Sequence, residues 1–259
     1  MDYNYHTHTY RCSHASGTEE EYIKRAIECG VKYMGFSEHI PFIFPDGHES
    51  GYRLPVSETQ DYFCTLYNLR EKYKNQIDIK IGFEMEYYPE YFEQMLQNSV
   101  LVGCEYLILG QHFLYNEYPA GKYVGTPTEA EDDLQDYTDC VISGIESGVF
   151  TYVAHPDVLN FCGNMKLYDK NMREICRAAK EYNVPLEINF LGMRDNRNYP
   201  NEEFWKIAGE EKTPVTFGFD AHDAQTTFDE DSLLKAKDMV KRYNLNYTGK
   251  PELINIPFV

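Results

Sequence analysis

The stretch Tyr3-Asn4-Tyr5-His6-Thr7-His8-Thr9 carries two imidazoles two residues apart. Side chains alternate along an extended segment, so both rings point to the same side. Neutral imidazole is the commonest protein ligand for transition metals, and the pair could share one ion. By itself the spacing does not separate a metal site from two hydrogen-bonded rings. Its weight comes from the far end of the chain, where Gly218-Phe219-Asp220-Ala221-His222 closes an apolar run with an acid and another imidazole. If both stretches serve one site, the first and last strands must come together. An open sheet keeps them apart, whereas a closed barrel joins them at one rim.

The chain between these stretches repeats a rhythm of apolar run, polar loop and amphipathic helix. Thr18-Glu19-Glu20-Glu21 is a capping box that starts a helix ending near Gly30. Val31–Phe36 is a β-rich run delivering Ser37-Glu38-His39, and the loop 40–57 with Pro41, Pro45 and Pro55 follows. Ser57-Glu58-Thr59-Gln60 starts a helix to about Tyr73, Ile77–Phe83 leads into Glu84, and Tyr88-Pro89 opens a short helix. Tyr106–Leu109 ends in Gly110-Gln111-His112, and a second loop, 113–126, carries Lys122. Thr126-Pro127-Thr128-Glu129 reads as a helix start, with the proline at a first-turn position.

Phe150–Ala154 then delivers His155, a helix begins near Asp169, and Val184–Ile188 precedes a loop from Phe190 to Tyr199 with Arg194 and Arg197. A helix near 201–209 comes before the strand Val215–Phe219. Thr227-Phe228-Asp229-Glu230 caps the last long helix, and the tail from Asn244 adds a short strand or covers the barrel floor. Seven strand–helix units with continuous apolar strands imply a parallel sheet buried on both faces, in a single domain over 1–259.

Composition narrows the function. The chain is 42% hydrophobic and 25% charged, as expected of a globular protein. It holds no apolar run of membrane-spanning length and no basic-then-apolar leader. Seven scattered cysteines without a C-x-x-C spacing imply reduced thiols and a cytoplasmic setting. A formal net charge of -18 repels phosphate backbones and argues against nucleic acid as a partner. The same charge sets a condition on any anionic substrate, because local cations must invert the field at the site.

The candidate ligands are His6, His8, His14, His39, Glu84, His112, His155, Asp220 and His222, which leaves out only His48 among the histidines. Any one of them alone reads more readily as a hydrogen-bonded or exposed ring. Five successive strands ending in a histidine or an acid do not read that way. The set is too large for one tetrahedral ion and suits several ions sharing a carboxylate, as in a polynuclear metal hydrolase.

These motifs, in their order, resemble those of the polymerase-and-histidinol-phosphatase (PHP) superfamily. They are His6-x-His8, Ser37-Glu38-His39, Gly82-Phe83-Glu84, Gly110-Gln111-His112, Ala154-His155-Pro156 and Gly218-Phe219-Asp220-Ala221-His222. Within it the chain most resembles the monofunctional histidinol-phosphatases, through Gln111-His112-Phe113, Glu187-Ile188-Asn189, Arg194 and Tyr199-Pro200. The resemblance implies a distorted (β/α)7, TIM-like barrel and three divalent ions, zinc, manganese or iron. His6, His8, Glu84 and Asp220 would hold one ion, Glu84, His112 and His155 a second, and His14, His39 and His222 a third. Glu84 would bridge, with Glu86 the competing choice two residues on.

The implied activity is hydrolysis of L-histidinol phosphate, a small-molecule phosphoester, to L-histidinol and phosphate in histidine biosynthesis. Glu84, Asp220, His222 and Arg194 would act in catalysis, and Arg194, Arg197 or Lys122 would bind the phosphate. Asp46, Glu49 and Asp223 are candidates for the substrate's ammonium group. Phosphotyrosine, sugar phosphates or nucleotides are alternative substrates, and a non-catalytic metal-binding barrel is the reading outside enzymes.

Overall fold

The computed structural model describes residues 1–256. Eight parallel strands form one curled sheet in the order β1 (Tyr3–Asn4), β2 (Tyr33–His39), β3 (Asp78–Met85), β4 (Tyr106–Leu109), β7 (Phe150–Val153), β8 (Leu186–Asn189), β9 (Pro214–Gly218) and β10 (Asn246–Tyr247). Between β4 and β7 a short antiparallel ribbon, β5 (Phe113–Leu114) with β6 (Lys122–Tyr123), stands on the rim. The helices α1 (Glu19–Glu28), α2 (Thr59–Tyr73), α3 (Phe92–Leu101), α4 (Glu131–Glu146), α5 (Met165–Glu181), α6 (Phe190–Asp195), α7 (Glu202–Glu211) and α8 (Glu230–Arg242) alternate with the strands. No helix among the described residues is long and apolar enough to cross a membrane.

The sheet closes at the rim where the sequence requires it. Beyond β1 the segment around His6 stays extended and bonds to both sides. Ser37 N–H donates to the Thr7 carbonyl at 2.9 Å, and His8 N–H donates to the Ala221 carbonyl at 2.9 Å. A parallel bridge pairs Thr7 with Ala221. First and last barrel strands thus meet at their C-terminal ends, giving the distorted seven-stranded barrel, while β10 extends the sheet at the opposite end by pairing Asn246 with Pro214.

That floor is packed by Tyr3, Tyr5, Tyr106, Ile108, Tyr152 and Ala154. The Tyr106 ring reaches across the barrel and donates its hydroxyl to the Tyr5 carbonyl at 2.9 Å, which answers the need of a buried phenol for a partner. Gly35 and Gly82 leave the room for it, since a Cβ at either would overlap that ring. The larger apolar layer lies between sheet and helices.

Several boundaries differ from the sequence reading. The 113–126 loop folds partly into the β5–β6 ribbon. Thr126-Pro127-Thr128 does not start α4, because Thr128 is held extended by a bridge to Phe161, and the helix begins after Ala130. α5 starts at Met165 rather than near Asp169, capped by the Asn164 side chain accepting from Lys166 N–H at 3.0 Å. The loop after β8 opens with α6, capped by Asn189, which accepts from Gly192 N–H at 3.2 Å. The capping box of α1 is present, with Thr18 N–H donating to Glu21 Oε2 at 2.7 Å, and Asp229 caps α8 by accepting from Ser232 N–H at 3.0 Å.

Candidate metal centre

Glu84 is the hub of the rim. Parallel pairing of β2 with β3 sets His39 beside Glu84 in register. Glu84 Oε2 lies 3.5 Å from His6 Nε2, 3.3 Å from His8 Nε2 and 3.2 Å from His39 Nδ1. Its other oxygen lies 3.4 Å from His112 Nε2 and 2.8 Å from His155 Nε2. Asp220 Oδ1 lies 3.4 Å from His6 Nε2, 3.7 Å from His8 Nε2 and 3.2 Å from His222 Nδ1. His222 Nε2 faces His14 Nε2 at 3.1 Å. Neighbouring ligands about 2.05 Å from a tetrahedral ion stand about 3.3 Å apart, so most of these separations match the edges of such a shell.

Local backbone geometry aims the ligands inward. His155 and Asp220 follow β7 and β9 at φ 31° and 46°, a left-handed turn that ends each strand and tips its side chain into the barrel mouth. Gly110 and Gly218 end their runs without a side chain because a Cβ would overlap the carboxylates of Glu84 and Glu187 respectively.

The residues fit metal ions by a direct test. His6 Nε2, both nitrogens of His8, His39 Nδ1, His155 Nδ1 and Asp220 Oδ1 are buried without a hydrogen-bond partner. Such atoms are costly unless something else satisfies them. Their ligand atoms cluster as His14 with His39 and His222, His6 with His8 and Glu84, His39 with Glu84 and His112, and His6 with His155 and Asp220. Cys12 also approaches His8 and His222, with its thiol donating to the Thr9 carbonyl at 3.1 Å.

The electrostatics suit cations. Burial disfavours charge on Glu84, yet His112 and His6 outweigh it and hold the carboxyl well below its usual range. Asp220 is held low in the same way, against its burial, by His6, His222 and His8. Burial, with His222 and His8 alongside, pushes His14 down to about 4, and His39 is also driven well below its usual value, chiefly by burial. Burial thus favours the neutral ring at both positions, the form that ligation requires.

Carboxylates behind the rings complete the arrangement. His6 Nδ1 donates to Glu187 at 2.8 Å and His112 Nδ1 donates to Glu86 at 2.8 Å, while Glu38 stands near His8 Nδ1 at 3.7 Å, beyond hydrogen-bond reach. An acid on one ring nitrogen selects the tautomer that presents the other nitrogen to a metal. The sequence reading gave Glu38 and Glu187 no role and weighed Glu86 only as a rival to Glu84. The available signal is the i, i+2 spacing of Glu84, in β3, and Glu86, just beyond it, which puts both carboxylates on one side of an extended segment.

The cage forms the foot of a pocket also lined by Tyr52, Phe113, Tyr123, Val158, Leu191, Arg197 and Tyr199. Residues 4–190 match the PHP domain. The chain belongs to the PHP family. A probable histidinol-phosphatase of Deinococcus radiodurans is 24% identical over 226 residues, covering 84% of this chain and 85% of that protein. The histidinol-phosphatase of Bacillus subtilis is 25% identical over 252 residues, covering 85% of this chain and 92% of that protein. The fold is similar to that of a Lactococcus lactis histidinol phosphate phosphatase, solved with zinc, L-histidinol and phosphate, at a TM-score of 0.70 and 20% identity over 95% of each chain.

The other expected substrate contacts separate on this PHP barrel. Arg197 lines the pocket, with Nη1 3.2 Å from the Tyr199 hydroxyl. Arg194 does not line it, because its guanidinium donates to the Asp220 carbonyl at 2.9 Å and to Asp229 at 3.4 Å. Lys122 is engaged outside the pocket by Asp133 and by Thr128 at 3.1 Å. Nor do Asp46, Glu49 or Asp223 line the pocket; Glu49 accepts from Val56 N–H at 3.1 Å, and Asp223 accepts from Gln225 N–H at 2.8 Å.

Proposed function

We propose that this chain is a metal-dependent phosphomonoesterase and that its substrate is L-histidinol phosphate. One observation carries the reading: imidazoles from four separate segments, His6 with His8, His39, His112 and His155, close around Glu84 in a pocket whose lining also holds a guanidinium. His6, His8, Glu84 and Asp220 would hold one divalent ion, Glu84, His112 and His155 a second, and His14, His39 and His222 a third. Such ions supply Lewis acidity toward phosphoryl oxygens and toward water. They also provide the local positive field that an acidic protein needs to receive a phosphate.

The chain's own groups supply orientation and charge. Arg197 projects into the pocket, where a planar guanidinium can pair two phosphoryl oxygens. Burial pushes the Tyr199 phenol up, so its hydroxyl stays protonated and able to donate. Arg194 acts indirectly, tying the Asp220 carbonyl to Asp229 and so steadying the turn that aims the Asp220 carboxylate. The rings of Tyr52, Phe113 and Tyr123 form a wall on which the planar imidazole of the leaving group packs.

A second reading keeps the centre and changes the substrate. Among the described residues, Glu84 and Asp220 are the only carboxylates lining the pocket, and both belong to the ligand set. Nothing further is there for the ammonium of histidinol, so a small aryl phosphate suits the aromatic wall as well. Phosphate release from histidinol phosphate, phosphotyrosine and p-nitrophenyl phosphate, with metal content measured per chain, separates these readings. Histidinol phosphate is expected to show the highest kcat/KM. A clear preference for the aryl esters selects the second reading, and metal-loaded protein inert toward all three leaves a non-catalytic barrel.

A further inference from the structure

The three carboxylates behind the imidazoles are anchored differently. Glu187 is gripped by the barrel itself, through Asn189 Nδ2 at 2.8 Å and His155 N–H at 3.1 Å. Glu38 is gripped by Thr9, whose N–H donates at 2.6 Å. Glu86 instead takes support from outside the barrel. Arg53, in the 40–57 loop, donates Nη2 to Glu86 at 2.7 Å and Nη1 to the Ile40 carbonyl at 3.1 Å. Arg53 Nε donates to Glu117, in the turn between β5 and β6, at 3.0 Å. The hydroxyl of Tyr52, a pocket residue, donates to the same Glu117 oxygen at 2.6 Å.

The side chains of Arg53, Glu86 and Glu117 are 2%, 1% and 5% exposed. Two carboxylates thus face one guanidinium away from solvent, leaving a buried negative charge that is costly unless a cation offsets it. Among the described residues, the group placed to supply it is His112, with Nδ1 2.8 Å from Glu86 Oε1. A cation on the opposite nitrogen of that ring would polarise its Nδ1–H toward Glu86 and balance the cluster.

We propose that Arg53 and Glu117 are positioning residues for the metal held by His112. Through Glu86 they orient the ring and favour a cation on its Nε2, so metal occupancy and the docking of the β5–β6 turn on the 40–57 loop are coupled. The proposal rests on the metal-centre reading above. Coupling of this kind is reciprocal: the docked turn strengthens metal binding, and bound metal steadies the turn.

The test uses zinc-free preparations of the full chain and of Glu117→Gln and Arg53→Lys. Zinc affinity is measured by competition with a chromogenic chelator, ions per chain by elemental analysis, and amide exchange of residues 113–123 with and without zinc. In Glu117→Gln one ion is expected to bind about tenfold more weakly, as for loss of an outer-shell partner, while the other ions are retained and the zinc-free unfolding temperature is unchanged. Zinc is expected to slow exchange of 113–123 in the natural chain and to do so less in the variant. Arg53→Lys, which keeps the charge but loses the fork, is expected to fall the same way. Natural zinc affinity in Glu117→Gln, with no zinc effect on exchange of the turn, would overturn the relay while leaving the metal centre standing. Failure of the natural chain to bind zinc would overturn the centre itself.

Discussion

At Gly110 the missing side chain is a requirement of the cage, since a Cβ there would overlap the Glu84 carboxylate. Gly110→Ala is therefore expected to displace Glu84, lower the bound metal per chain and cost about 1–3 kcal/mol through overpacking; elemental analysis and denaturant unfolding check the two effects. The two arginines of the 190–199 segment should also separate. Arg197 faces the pocket and Arg194 does not, so Arg197→Met is expected to lower kcat/KM roughly 10²–10³-fold, the scale for losing one electrostatic contact to a transition state. Metal content should hold in that variant. Arg194→Met frees the Asp220 carbonyl and should show first as reduced metal retention. Sequence placed both arginines after the same strand, but which one faced the pocket depended on Asp229, which lies thirty-five residues beyond Arg194.

Elements were legible where a local signal was complete. Thr18 and Glu21 form their own capping box, and Asp229 caps α8, because caps are built from neighbours in sequence. The reading failed where a distant partner intervened. Thr126-Pro127 has the composition of a helix start, but the bridge from Thr128 to Phe161 holds that segment extended. The 113–126 segment shows no strand alternation, and the pairing of Phe113 with Tyr123 forms β5 and β6 across a turn. At α5 the signal was local but went unread: Asn164 caps the helix through Lys166 N–H. Asn164→Ala is expected to cost about 1 kcal/mol, seen as a lower denaturation midpoint at unchanged slope.

Over the whole molecule, metal binding and stability should be linked. An ion that binds the folded cage and not the unfolded chain stabilises by about 4 kcal/mol at a thousandfold excess over its dissociation constant. For a chain of this size that corresponds to roughly 10 °C in Tm. Chelation is thus expected to lower Tm by about that amount in scanning calorimetry, while far-UV circular dichroism at 25 °C stays unchanged. The fold survives because the apolar layer between sheet and helices is built independently of the rim.

By itself the sequence determined the strand–helix alternation, a parallel sheet buried on both faces and the list of ligand-type residues at the strand ends. Each follows from local periodicity and from the rule that parallel strands deliver their C-terminal residues to one rim. Only the tertiary structure decided that Glu187, Glu86 and Glu38 stand behind the rings and that Arg197, not Arg194, reaches the pocket. Those choices depend on register, on left-handed turns at His155 and Asp220, and on contacts between residues far apart in the chain. Such contacts leave no periodic trace in the sequence.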